Sequence, residues 1–254
     1  MSHFTVLVIG DNPEKQLEPY CELDLSREEL EHDSRAIFEK EFKSVELQKM
    51  FEEFKEKNKL DIKMGLEDYW VKYRTCSAEE WQDSWSENYL NKDGTHYGYY
   101  HNPNAKWDWF QVGGRWGGTL KLKDGGASDE AIKGDVDFSI DKEKYNRSVR
   151  FWEIYIEGQK PENDSEKELA KTMYKKEYFI DRYKNKNDYA TQSASFGTYA
   201  VLKNGEWFGK GEMGWFGCSS ETHDEANDWS KSYYEQFIAD LTDDTTLTIV
   251  DCHI

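Results

Sequence analysis

The sequence contains few cysteines, few prolines and no long hydrophobic run. It has four cysteines and four prolines in 254 residues. Cys21, Cys76, Cys218 and Cys252 are widely spaced without a CxxC pair, so neither a zinc knuckle nor a disulfide framework is predicted. The apolar run at 4–9 is short and has no basic flank, which predicts a buried strand rather than a membrane span or a signal peptide.

Basic residues are also in the minority. The chain has 33 Lys and Arg against 51 Asp and Glu, a formal net charge of −18. This balance argues against sequence-independent binding of nucleic acid through a broad basic surface, but it leaves room for a small anion in a local pocket. Hydrophobic content is only 37%, whereas the aromatic fraction of 15% argues for a folded chain rather than a disordered one.

Apolar, β-branched runs stand near both ends of the sequence. Residues 4–9 and 247–254 are each typical of a buried strand, and we expect both to be inner strands of one sheet. Asn204-Gly205 lies between two alternating runs and predicts a hairpin with a type I′ turn. The expected fold is α+β, with a mostly antiparallel central sheet that includes both termini and helical insertions packed on it.

Apolar residues recur at steps of three and four in several charged segments, which predicts helices. Thr222 and Glu225 form a capping-box pattern before one of them. We predict a single domain over 1–254, with helical insertions at about 26–90 and 141–185. Ser77 with Glu80 predicts the start of one helix, and the alternation over 135–140 predicts a short strand.

Aromatic rings, glycines and cations are most concentrated at 97–123. Trp107 and Trp109 share strand parity, so both rings are predicted to point to one face of a strand over 106–112. The pair Gly113-Gly114 is predicted to be a two-residue hairpin turn. In the alternative interpretation, the tryptophans belong to the core and the glycines serve twist or bulges.

The same stretch is locally basic in an acidic protein. Residues 99–123 hold four cations against one acid, Asp108, a local charge of +3: Lys106, Arg115, Lys121 and Lys123. A small anion with a planar ring suits this combination, because rings stack on tryptophan and phosphate pairs with guanidinium or backbone N–H groups. The predicted ligand contacts comprise stacking indoles, cations and open glycine backbone: Trp107, Trp109, Trp116, Trp215, Lys106, Arg115, Gly113 and Gly114.

The C-terminal strand carries a second set of candidates. Asp251 and His253 share one face of this strand and Cys252 points to the other, so a Cys252–His253 nucleophile pair is geometrically poor. His3 becomes a partner for Asp251 and His253 if the terminal strands are neighbours. Alternatively, these residues are structural polar groups at a strand end.

No metal site and no cofactor are predicted. His96 and His101 flank a tyrosine run, and Asp135, Asp137 and Asp141 lack the glycine and glutamate spacing of a calcium loop. The sequence has no phosphate loop, no GxSxG elbow and no HExxH motif, and GGRWGG lacks the strand-turn-helix context of a dinucleotide fingerprint.

Four blocks resemble a family of proteins encoded by tailed bacteriophages: MSHFTVLVIG, NPNAKWDWFQVGGRWGG, GEMGWFG and the terminal VDCHI. The resemblance implies a phage origin and a host-cytoplasm setting. It implies no catalytic residue.

The basic aromatic stretch and the phage resemblance together predict a counter-defence protein. It would sequester a small anionic, nucleotide-derived signal, such as a cyclic ADP-ribose-like molecule or a cyclic dinucleotide. Binding without catalysis is favoured because no nucleophile, metal set or acid/base pair stands out. Two alternatives are a nucleotide-processing hydrolase or transferase using Asp251, His253 or His3, and an acidic inhibitor that binds a host defence enzyme.

Overall fold

The computed structural model describes residues 2–22, 28–33, 44–58, 65–74, 89–90, 96–100 and 102–254. The chain divides into two compact units: Met1–Leu17 with Trp109–Ile254, and Glu18–Asp108. The single domain predicted over the whole chain stays a prediction. Within the described ranges, no helix has both the length and the apolar character needed to cross a membrane.

The elements are numbered in chain order. The strands are β1 His3–Ile9, β2 Glu28–Asp33, β3 Tyr89–Leu90, β4 His96–Tyr100, β5 Trp109–Val112, β6 Leu120–Lys121, β7 Ala127–Ser128, β8 Glu130–Ile132, β9 Ala200–Lys203, β10 Glu206–Gly209 and β11 Thr246–His253. The α-helices are α1 Pro13–Leu17, α2 Val45–Asn58, α3 Leu66–Arg74, α4 Lys142–Tyr155, α5 Asp164–Leu169, α6 Lys176–Arg182, α7 Lys186–Ala194 and α8 His223–Tyr233.

A six-stranded sheet forms the centre of the first unit, with strand order β10-β9-β1-β11-β5 and with β8 also paired to β11. Strands β1 and β11 pair antiparallel over seven positions, from His3 opposite His253 to Ile9 opposite Leu247. Both terminal strands are therefore inner strands, as predicted. Only the β1–β9 pair is parallel among the five pairings of this sheet, so the α+β fold with a mostly antiparallel central sheet is confirmed.

The main core lies on one face of this sheet. Leu7 and Ile249 are fully buried there, and they belong to the same cluster as Tyr233 and Phe237 from α8 and its π-helical continuation, Tyr234–Ile238. The predicted capping box before α8 is present, with Thr222 and Glu225 bonded reciprocally. The capping box thus stabilises the first turn of α8, and the burial of its apolar face stabilises the rest of the helix.

The predicted hairpin at Asn204-Gly205 is confirmed. It joins β9 to β10, and Lys203 pairs with Glu206 across it. Asn204 and Gly205 have φ values of 56° and 75°, the two left-handed positions that a type I′ turn requires. The turn preference of Asn204-Gly205 therefore determines the register of β9 and β10.

Two local predictions are wrong. The helical pattern expected over 26–90 begins instead with strand β2, which pairs with β4. The short strand expected over 135–140 is reduced to one bridge between Leu122 and Val136. Asp137 and Asp141 instead accept hydrogen bonds from the Ser139 and Lys144 backbone N–H groups, as turn and helix-cap residues do.

The second unit contains the small sheet β2-β4-β3 and a helix pair. Leu47 of α2 packs in one cluster with Tyr69 and Trp70 of α3, in agreement with the predicted helices there. The helix predicted after Ser77 lies outside the described residues.

Helices α4 to α7, residues 142–194, are called the helical lobe below. The lobe belongs to the first unit, and its aromatic cluster includes Phe151, Trp152 and Phe179. Arg150 donates to both carboxylate oxygens of Glu166, at 3.0 and 2.7 Å. This bidentate pair fixes α5 against α4.

We expect the lobe to lose stability in acid. The bond from Arg150 lowers the pKa of Glu166 below its ordinary value of 4.5, so the stabilisation is present above that pH and is lost as pH falls through the lowered value. Acid unfolding followed by circular dichroism should therefore be less steep for Glu166→Gln. The control is Glu206→Gln, an exposed carboxylate on β10; equal changes in both variants would contradict the prediction.

Candidate functional site

Three ring side chains line up at one end of the central sheet. His3 begins β1, His253 ends β11 and Trp109 begins β5; the register places His3 opposite His253 and His253 opposite Trp109. Ring centroids lie 4.9 Å apart for the two histidines and 6.5 Å apart for His253 and Trp109. Strand parity puts all three on one face of the sheet. These residues and Asp251 are called the histidine site below.

Asp251 orients the ring of His3. Its carboxylate is 2% exposed, and Oδ1 lies 2.9 Å from His3 Nδ1 while Oδ2 accepts from the Arg115 backbone N–H at 3.0 Å. When the His3 ring is neutral and faces an ionised carboxylate, Nδ1 carries the proton and Nε2 is a hydrogen-bond acceptor. The sequence allowed this pair only if the terminal strands were neighbours, and they are.

The Gly113–Trp116 segment packs against Asp251 and supplies the Arg115 N–H that its carboxylate accepts. Gly113 N–H donates to the Ile249 carbonyl at 2.8 Å, and Gly114 has a φ of +52°. A Cβ on Gly114 would lie 2.4 Å from Asp251 Cβ, closer than any real contact. Glycine is therefore required here both for the backbone conformation and for the approach of the carboxylate.

The predicted hairpin at Gly113-Gly114 is wrong. Strand β5 pairs with β11 instead of with a following strand, and Gly114–Trp116 forms a 3₁₀ turn. The physical reason is that β11 offers β5 a long, buried partner. After Gly113 the chain turns, so that the Arg115 backbone N–H donates to the buried carboxylate of Asp251.

Trp107 and Trp109, predicted to share one strand, do not do so. Strand β5 begins at Trp109, which is 49% exposed. Trp107 lies before this strand, bridges to Cys21 and is only 7% exposed. Both Trp107 and Lys106 belong to the second compact unit. The strand predicted over 106–112 is therefore wrong at its beginning.

The other predicted ligand contacts lie in different surroundings. Trp116 packs against the main core, which agrees with the alternative interpretation for this ring. Arg115 is exposed, and its backbone N–H bonds Asp251 of the histidine site, whereas Lys123 Nζ donates to the Gly134 carbonyl at 2.5 Å. The side chain of Trp215 and all of His101 lie outside the described residues. The predicted +3 cluster, which includes Lys106 of the second unit, stays a prediction.

Sequence reasoning missed Asp129, which bonds to the strand that carries Asp251 and His253. Its Oδ1 accepts from the Gly118 N–H at 2.6 Å, and its backbone carbonyl accepts from the Ile249 N–H at 2.8 Å. It stands in an unremarkable polar sequence, so no local signal marks it.

Cys252 is excluded as a partner of the histidines. It lies opposite Phe4 and Phe110, on the face of the sheet away from the histidine site. Burial raises the pKa of its thiol far above the ordinary range, so the reactive thiolate is suppressed. This agrees with the geometric argument from strand parity.

Metal chemistry finds no support in the part of the chain that the structure describes. No group of three or more His, Cys, Asp or Glu side chains there is arranged to hold a metal ion. The chemistry that the described geometry offers is a hydrogen-bonded aspartate–histidine pair, a second imidazole and an accessible indole.

Comparison with known proteins gave no relative from which a function could be transferred. Neither a family model, nor a curated protein, nor a solved structure matches the chain.

Proposed function

We propose that the histidine site binds a small anionic ligand that carries a planar ring, of the nucleotide-derived class. The supporting observation is the row of His3, His253 and the half-exposed Trp109, with Arg115 exposed next to it. An exposed indole offers a stacking surface, and a guanidinium group donates hydrogen bonds to phosphate.

The phage resemblance supplies the proposed setting. In the host cytoplasm, a protein that holds such a ligand without releasing it would lower the concentration of a nucleotide-derived immune signal. Cyclic dinucleotides and cyclic ADP-ribose-like molecules are the ligand classes to test. A protein that only sequesters the ligand returns it intact after heat denaturation.

Calorimetry against cyclic dinucleotides and ADP-ribose derivatives tests this proposal. Trp109→Ala is expected to weaken binding by about 1–3 kcal/mol through lost stacking, and Arg115→Ala by about 1.5–3 kcal/mol through a lost bond to a charged group. The matched control is Val112→Ala, which changes a similarly exposed side chain on the opposite face of the same strand. If Val112→Ala weakens binding as much as Trp109→Ala, the ligand does not lie at the histidine site.

A second candidate function is acid–base catalysis on a bound nucleotide. The specific observation in its favour is the 2.9 Å contact of His3 Nδ1 with Asp251 Oδ1, because this pairing leaves Nε2 as a base and keeps the ring oriented. Chromatography of each nucleotide after incubation separates the two functions. A chemically changed nucleotide indicates catalysis, and an unchanged one indicates sequestration.

A further inference from the structure

The helical lobe carries an open cavity of about 520 Å³, and no residue of the histidine site lines it. This volume lies within the roughly 300–1,000 Å³ of typical small-molecule sites. Three cations line it, Lys144, Arg147 and Lys171, and among the described residues that line it none is acidic. A lining of charge +3 is unexpected in a chain of net charge −18.

Helix α4 brings two of the cations together. Lys144 and Arg147 are three residues apart and Phe151 follows four residues later, so all three lie on one face of the helix. The side chains of Lys144 and Arg147 are exposed and form no ion pair with any described residue. Lys171, by contrast, pairs with Glu168 at the surface. The two α4 cations are therefore available to an anion.

Six aromatic rings also line the cavity: Phe151, Tyr174, Tyr178, Phe179, Tyr183 and Tyr189. Tyr174 and Tyr178 stack with centroids 4.4 Å apart and planes 17° from parallel, and Tyr174 is 49% exposed. The Tyr155 hydroxyl fixes this segment by donating to the Tyr174 carbonyl at 2.6 Å. Burial raises the pKa of Tyr189, so this phenol stays neutral and does not repel an anion.

We infer that this cavity is a binding site for a phosphorylated planar ring of mononucleotide size. The phosphate pairs with Arg147 and Lys144, and the ring lies against the tyrosine wall. A guanidinium fork matches phosphate oxygens, and an aromatic face accepts any flat heterocycle. The site does not depend on the function proposed for the histidine site, because no residue is shared.

Calorimetry of the full chain tests this inference with three probes: adenosine 5′-monophosphate, adenosine and inorganic phosphate. We expect saturable binding of the monophosphate, and weaker binding of the other two because each lacks one half of the recognised chemistry. Arg147→Gln should weaken monophosphate binding on the order of tenfold or more, since it removes a charge-assisted pair. Lys142→Gln, a cation on the same helix that does not line the cavity, should bind normally.

Thermal melts establish that both variants fold, and His3→Ala identifies the site. Monophosphate binding that survives in His3→Ala and is lost in Arg147→Gln supports the cavity. The inference is overturned if the monophosphate does not bind, if phosphate alone binds equally well, or if His3→Ala abolishes binding while Arg147→Gln does not.

Discussion

Replacing Gly114 with alanine is expected to lower the free energy of unfolding by about 2–5 kcal/mol, the sum of a left-handed backbone penalty and overpacking. The added Cβ would stand 2.4 Å from Asp251 Cβ and 2.6 Å from its Oδ2. Because Asp251 is held in an inner strand, the Gly113–Trp116 segment has to move. That movement breaks the bond from the Arg115 N–H and loosens the support of His3. Chemical denaturation monitored by tryptophan fluorescence measures the change.

The control for Gly114 is Gly158→Ala. Gly158 also has a positive φ, of +79°, but a Cβ there meets nothing within 4 Å. Its replacement should cost only the backbone penalty, about 1–2 kcal/mol. Equal losses at the two positions would show that contact with Asp251 contributes nothing to the effect at Gly114.

Replacing Asp251 with alanine is expected to cost about 2–6 kcal/mol of unfolding free energy, because His3 Nδ1 and the Arg115 N–H both lose their partner and each orphaned group costs roughly 1–3 kcal/mol. Asp251→Asn should cost clearly less. Its carbonyl oxygen can still accept from the Arg115 N–H, and its amide fills the same volume. Denaturant midpoints of the two variants provide the comparison, and a neutral effect of Asp251→Ala would contradict it.

The asparagine variant also separates the two proposed functions. An amide facing His3 donates to Nδ1 and so moves the ring proton to Nε2, which removes the base. If the protein catalyses a reaction, Asp251→Asn should slow it by about 10²–10⁴-fold, the usual contribution of a positioned base. If it only sequesters its ligand, the nucleotide is recovered intact from both proteins. Equal turnover by Asp251→Asn and the unmutated protein would show that His3 is not the base.

The histidine site shows how far pattern reasoning could reach. Strand parity alone placed Asp251 and His253 on one face and Cys252 on the other, and the structure agrees. Parity failed at Trp107, because it applies only while a residue stays in its strand, and β5 begins at Trp109. Alternation along a sequence carries no information about where pairing starts, since pairing depends on a partner distant in the chain.

The binding site predicted from the basic aromatic pattern stays a prediction. It was read from 97–123, where the residues are divided between two compact units. The helical lobe gathers the same types of side chain from Lys144, Arg147 and Tyr174, which are spread over some 30 residues of sequence. Composition within a short window cannot detect a wall built from several helices, because helix packing brings distant positions together.

By itself, the sequence determined what depends on neighbours along the chain. The Asn204-Gly205 turn, the Thr222 capping box and the burial of both terminal runs follow from local backbone preference and from the need to bury apolar side chains. Only the tertiary structure decided that β11 pairs with β5, so that Gly114 meets Asp251. Such contacts depend on which distant backbone donors and acceptors find each other when the core closes, and that choice is made by the fold as a whole.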